Sequence, residues 1–133
     1  MILVESVTAN EEFFSISFLE ETDGEFVFKV CFPTDCLNPQ GNIQGGMITS
    51  VLDDCTALCV LFSTKGKRFP NSTDFHTTYH RPLSLEPAII KASILKMGKN
   101  IVSVEGKIFK EKNKLVASCL HTGFLFDTHG MHK

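Results

Sequence analysis

Apolar residues in FFSISFLE (13–20) and EFVFKVCF (25–32) fall on alternate positions, the period at which a strand turns every second side chain to one face. The ETDG between them is turn chemistry, so the pair predicts a β-hairpin with one buried face. DFHTTYHR (74–81), AIIKASILK (88–96), IVSVEGKIFK (101–110) and KLVASCLHTGFLF (114–126) read as strands as well. The connectors MGKN and EKN have hairpin length, which predicts an antiparallel meander, and Pro82 and Pro87 bracket a loop that sets off the first strand of this half. The closing DTHGMHK (127–133) predicts a frayed tail.

One stretch breaks the two-residue period. From about 45 to 62, apolar or small residues occupy 47, 48, 51, 52, 55 and 57–62, which predicts a helix that is apolar nearly all round. Such a helix must be covered on most sides, and strands are the only cover available. The pattern therefore predicts an α+β domain in which a long central helix is wrapped by a curved antiparallel β-sheet. At 133 residues the chain is one domain's worth, long enough to bury a core without staples.

Composition narrows the partners. A formal charge of −2 without a basic block argues against nucleic acid, and KGKR (65–68) reads as a solvated loop. Five cysteines lack zinc-site spacing and come in an odd number, so they read as reduced, mostly core thiols; Cys55 and Cys59, one helical turn apart, fit packing. His76 and His80 share a strand face but stand roughly 13 Å apart, too far to share a metal. No metal site is expected. MILVES has three apolar residues between Met1 and Glu5 and no basic segment, so the expectations are no secretory signal, no membrane partner and a cytoplasmic location.

Candidate chemistry concentrates in NPQGNIQGGMITSVLDDCT (38–56). Gly45 and Gly46 stand at the helix start, where main-chain N–H groups lack intrahelical partners and missing side chains let a ligand approach. Such donors stabilise a carbonyl oxygen that gains negative charge. Charge within the helix is confined to Asp53 and Asp54. Asp53 shares a lane with Thr49, Ser50, Thr56 and Ala57, whereas Asp54 mostly lies over Met47, Val51, Leu58 and Leu61. Asp53 is thus the better placed to face a polar cleft, the bland alternative being that both sit on an exposed edge. Gly45 and Asp53 are separated by roughly 12 Å of helix, so one chain cannot bring both to one carbonyl. If both act on one substrate, the sites lie at the seam of a two-fold dimer.

The same stretch resembles the N…G…HGG…D signature of hotdog-fold acyl-CoA thioesterases, nearest to the phenylacetate-pathway and mammalian acyl-CoA thioesterase 13 branch. STDFHTTYHRPLS is similar to that branch's S-x-D-x-x-x-x-Y-x-x-P strand, and KMGKNIVSVEGKIF with NKLVASCLHTGFLF resembles its closing strands, so the likeness runs from about 38 to 126. The resemblance implies a hotdog fold and hydrolysis of an acyl-CoA to a carboxylic acid and free coenzyme A, without metal or redox cofactor. It implies a homodimer or dimer of dimers with sites at the subunit interface. Asn38 and the Gly45 N–H would polarise the thioester carbonyl, Asp53 would attack it or activate water, and Ser72 would position that water. Gln44, Gly46 and Lys99 would contact substrate, with Lys96 and Arg81 as further cations for the coenzyme's phosphates. Gln44 stands where the family carries His, and an amide cannot change charge near neutral pH. Two other readings are open: an acyl-CoA binding module without catalysis, and an acyl-thioester hydratase or dehydratase, which would need a His and carboxylate pair.

Overall fold

The computed structural model describes residues 13–128. Six strands, β1 (Ile16–Thr22), β2 (Glu25–Val30), β3 (Arg68–Tyr79), β4 (Ala88–Met97), β5 (Ile101–Lys110) and β6 (Lys114–Asp127), form one sheet in the order β1-β2-β4-β5-β6-β3. Every neighbouring pair is antiparallel. The one long helix among the described residues, α1 (Gly45–Ser63), packs on the curved sheet as its apolar circumference requires. Its length and apolarity match a membrane span, but here Val51, Leu52, Cys55 and Cys59 are closed off against Ile90, Val102, Val104 and Ile108 of the sheet. Full burial of each such aliphatic side chain contributes about 1.5–3 kcal/mol.

The hairpin forms, with two differences from the alternation. β1 starts at Ile16, because Phe14 turns inward at 2% exposure and Ser15 adopts a φ of 49°. Beyond Ile16 the strand is exposed, and a bulge between Phe18 and Glu20 breaks its phase. Only β2 buries one clean face, through Phe26, Phe28 and Val30. Phe18 reaches across to Phe62 near the end of α1, ring centroids 5.2 Å apart, and ties the hairpin to the helix.

Downstream, β4, β5 and β6 make the expected meander, but β3 pairs with β6 at the far edge. The loop bracketed by Pro82 and Pro87 carries the chain from that edge back to the strand beside β2. β3 also begins at Arg68, well before 74. KGKR is therefore the stop of the helix and the start of a strand: Lys65 and Gly66 take φ of 56° and 81°, and Gly66 N–H donates to Leu61 O at 2.7 Å. Pro70 is tolerated within β3 because an edge strand pairs on one side only. At the other end, Asp127 and Thr128 are held, not frayed. Arg68 pairs with Asp127 at 3.2 Å, and Thr128 N–H donates to Lys67 O at 3.0 Å. The rest of the expected tail, with His129 and His132, lies outside the described residues, as does the MILVES segment.

Candidate active site

The two adjacent aspartates of α1 have different fates. Asp54 is buried at 8% exposure, whereas the Asp53 side chain stays 51% exposed and turns toward β6. There, Asp53 Oδ1 lies 3.7 Å from Nδ1 of His121, an imidazole only 2% exposed. Its Nδ1 is 2.7 Å from Thr56 Oγ1, and its Nε2 is 2.6 Å from Ser72 Oγ. Phe75 closes over the ring, with centroids 4.8 Å apart.

A bulge assembles this cluster. In a regular strand Ser72 and Phe75, three positions apart, would face opposite sides of the sheet. The register of β3 against β6 shifts between Ser72 and Asp74, so both reach His121. The new phase then sends Thr77 and Tyr79 to the helix as well.

Burial sets the electrostatics. It holds the His121 imidazole below its usual range, against the opposing pull of the Asp53 charge. It lifts the Asp53 carboxyl above the usual carboxylate range, and His121 works in the opposite sense. Solvent at the half-exposed Asp53 limits that lift. The lowered imidazole is the neutral partner near neutral pH, and a carboxyl so raised is a better proton acceptor when ionised. The thiols do not compete for this role, since burial pushes Cys59 and Cys119 up to about 12.

The start of α1 forms a second, separate region. Gln44 occupies the cap position and its carbonyl accepts from Met47 and Ile48 N–H groups. Tyr79 lays its ring on Gly45, where a Cβ would meet ring carbons at 3.2 Å, and its hydroxyl donates to Gly45 O at 2.8 Å. A short hydroxyl contact to Thr49 fixes the same ring. Asn38 uses its side-chain carbonyl inside its own loop, accepting from Gln40 N–H at 3.0 Å and Asn42 N–H at 3.1 Å. That leaves its amide –NH2 as the donating end. Asn38, Gly45, Ile48, Tyr79 and Arg81 line a cleft of about 380 Å³.

The sequence-derived residues thus divide. Asn38, Gln44, Gly45 and Gly46 gather at the helix start; Asp53 and Ser72 meet at His121 two turns on. Lys99 joins neither group in one chain: it sits in the β4–β5 turn, where its carbonyl accepts from Arg68 at 3.4 Å. Arg81 is the cation beside the cleft. Thr56 and Tyr79 enter the sequence only as a lane neighbour of Asp53 and a motif position, with no role attached, and His121 does not stand out there at all. A signal for His121 existed, since it shares the inward lane of β6 with the buried Ala117, Cys119 and Leu125. A histidine there must find hydrogen-bond partners inside.

Comparison with known proteins agrees with this architecture. A candidate esterase from Thermoplasma acidophilum is 25% identical over 114 residues, covering 85% of this chain and 83% of its own. The fold matches a candidate thioesterase from Ralstonia eutropha related to phenylacetic acid degradation, at TM-score 0.83 and 24% identity, covering 90% of this chain and 92% of that one. It also matches a Haemophilus influenzae thioesterase at TM-score 0.83 and 16% identity, covering 96% and 89%. The sequence pattern of the thioesterase superfamily spans residues 40–117, from the loop before α1 into β6. With more than half the chain inside that pattern and a helix wrapped by a six-stranded antiparallel sheet, the protein belongs to the hotdog-fold thioesterase superfamily.

Proposed function

We propose that the chain is an acyl-CoA thioesterase, converting acyl-CoA and water to a carboxylic acid and free coenzyme A. The observation that carries this reading is the half-exposed Asp53 backed by buried His121, which exposed Ser72 joins from β3, a carboxylate tuned toward proton acceptance and open to substrate. The superfamily and the esterase and thioesterase relatives support the same reaction class. The acyl-CoA substrate follows from the resemblance of residues 38–126 to that branch.

The active unit in this proposal is a homodimer, or a dimer of dimers. Gly45 and Asp53 lie on one helix about 12 Å apart, so a single carbonyl meets both only if they come from different chains. The long edge of β3 supports such a pairing, because its outer side has no strand partner among the described residues.

Gly45 N–H and the Asn38 amide of one protomer then hold the thioester oxygen, and Asp53 of the other takes a proton from water. The new C–O bond pushes the carbonyl electrons onto oxygen. Collapse breaks the C–S bond, and the departing thiolate receives the proton that Asp53 removed. The alternative is direct attack by Asp53 through a mixed anhydride that water then opens. Oxygen-18 appearing in Asp53 after a single turnover supports that second route. Arg81 and Lys99 are the cations offered to the coenzyme's phosphates.

His121 supplies the His and carboxylate pair that a hydratase or dehydratase needs, yet both its ring nitrogens are engaged and it is 2% exposed. It supports Asp53 from behind and does not reach substrate carbon. The deciding experiment is free-thiol release across a panel of coenzyme A esters. Release above background supports the thioesterase; tight binding without release favours the non-catalytic module and points to Gln44 as its cause.

A further inference from the structure

Thr56 is fully buried on α1, and its hydroxyl has more neighbours than protons. Oγ1 lies 2.8 Å from Leu52 O, 3.1 Å from Asp53 O and 2.7 Å from His121 Nδ1. The carbonyls can only accept, so the one hydroxyl proton belongs to them. Oγ1 must then accept from Nδ1, which places the imidazole proton on that nitrogen. The Asp53 charge, 3.7 Å from the same nitrogen, favours the same arrangement. Nε2 is left with a lone pair, so Ser72 must donate to it. The Ser72 oxygen consequently keeps both lone pairs for groups outside the cluster.

We propose that Thr56 is a positioning residue that locks His121 as its Nδ1-protonated tautomer and so commits Ser72 to act as a hydrogen-bond acceptor toward the water used at Asp53. The direction of each bond matters for hydrolysis. A water with one proton directed to Ser72 and the other to Asp53 points an oxygen lone pair at the carbonyl carbon, whereas a Ser72 that donated outward would occupy that lone pair. Packing fixes the Thr56 rotamer: Gly106 on β5 faces it so closely that a Cβ there would lie 2.9 Å from Thr56 Cγ2. The absence of a side chain at 106 is what lets this hydroxyl sit under the ring. The role of Ser72 rests on the thioesterase reading, but the tautomer does not.

The test measures the tautomer without substrate. Two-bond proton–nitrogen NMR of the full-length protein labelled with 15N-histidine separates Nδ1–H from Nε2–H imidazoles, and His121→Gln identifies the signals of His121. The expected result is the Nδ1–H form in the unaltered protein. Thr56→Val, which keeps the shape and removes the hydroxyl, should lose that pure signature and lower kcat by about tenfold with KM little changed; Thr56→Ser should restore both. An Nε2–H imidazole in the unaltered protein overturns the proposal, as does a Thr56→Val protein with unchanged tautomer and kcat. Should Thr56→Val fail to fold, the unaltered tautomer and Thr56→Ser still decide. Absence of thiol release from the unaltered protein would refute the thioesterase reading while leaving the tautomer result standing.

Discussion

The helix start and the Asp53 cluster, two turns apart on α1, are built by opposite means. At Gly45 the groups on offer are main-chain N–H and the Asn38 amide beside an open cleft, with the Tyr79 hydroxyl already engaged by Gly45 O. Around Asp53 they are a carboxylate and an imidazole, both displaced by burial, joined by hydroxyls whose protons are committed. A backbone donor needs only position, and a glycine at a helix start supplies it without help from distant sequence. A tuned carboxylate needs an enclosure, which here takes a helix, an edge strand and the neighbouring strand. The first region can therefore be altered in strength but not in pH response, while the second is sensitive to both.

The sharpest way to break the contrast is Asp53→Asn. Thioester hydrolysis should fall by about a thousandfold with the thermal transition nearly unmoved, and near-normal turnover would remove Asp53 from the chemistry. Asn38→Ala should cost about a hundredfold, chiefly in kcat, by taking a donor from the developing oxyanion. These two inactive proteins provide a further test when unfolded together and refolded. If each site draws Asp53 from one chain and Asn38 from the other, half of the dimers are mixed and each has one intact site, so about a quarter of the normal activity returns. No recovery would place both groups in one chain.

The pH profile separates the regions next. Asp53 acts ionised, so activity is lost as pH falls through its raised pKa, and the midpoint of that loss should lie above the usual carboxylate range. Asn38→Ala should lower the whole profile without moving its midpoint. The smallest effect is expected from Tyr79→Phe, which loses the hydrogen bond to Gly45 O but keeps the ring that covers it. A factor of about 2 to 10 in kcat/KM with an unshifted profile fits a support of the helix start; a shifted midpoint would tie Tyr79 to the carboxylate instead.

Much of the fold was legible because its signals are local. The apolar run ending near 62 became Gly45–Ser63, and the strands from Ala88 onward follow their alternation closely. Asn38, Gly45 and Asp53 stand out as candidates because one short motif carries them, and Ser72 because a second stretch does. β3 begins earlier than the alternation shows, because its start follows a helix-stop turn and contains Pro70, both of which look like loop when the edge position is unknown. His121 carries no local signal of its role because its partners are remote in sequence, Thr56 by 65 residues and Ser72 by 49.

The sequence by itself determined that an almost wholly apolar helix would lie in the grip of a sheet, and that its bare start and its one well-placed carboxylate could not serve the same carbonyl from one chain. Both follow from repeat lengths, 3.6 residues and 2, that act within a few positions. Only the tertiary structure decided which hydroxyls and which imidazole stand behind Asp53. That choice depends on β6 lying between β5 and β3 and on a one-residue slip in β3. No window of sequence contains those strands together.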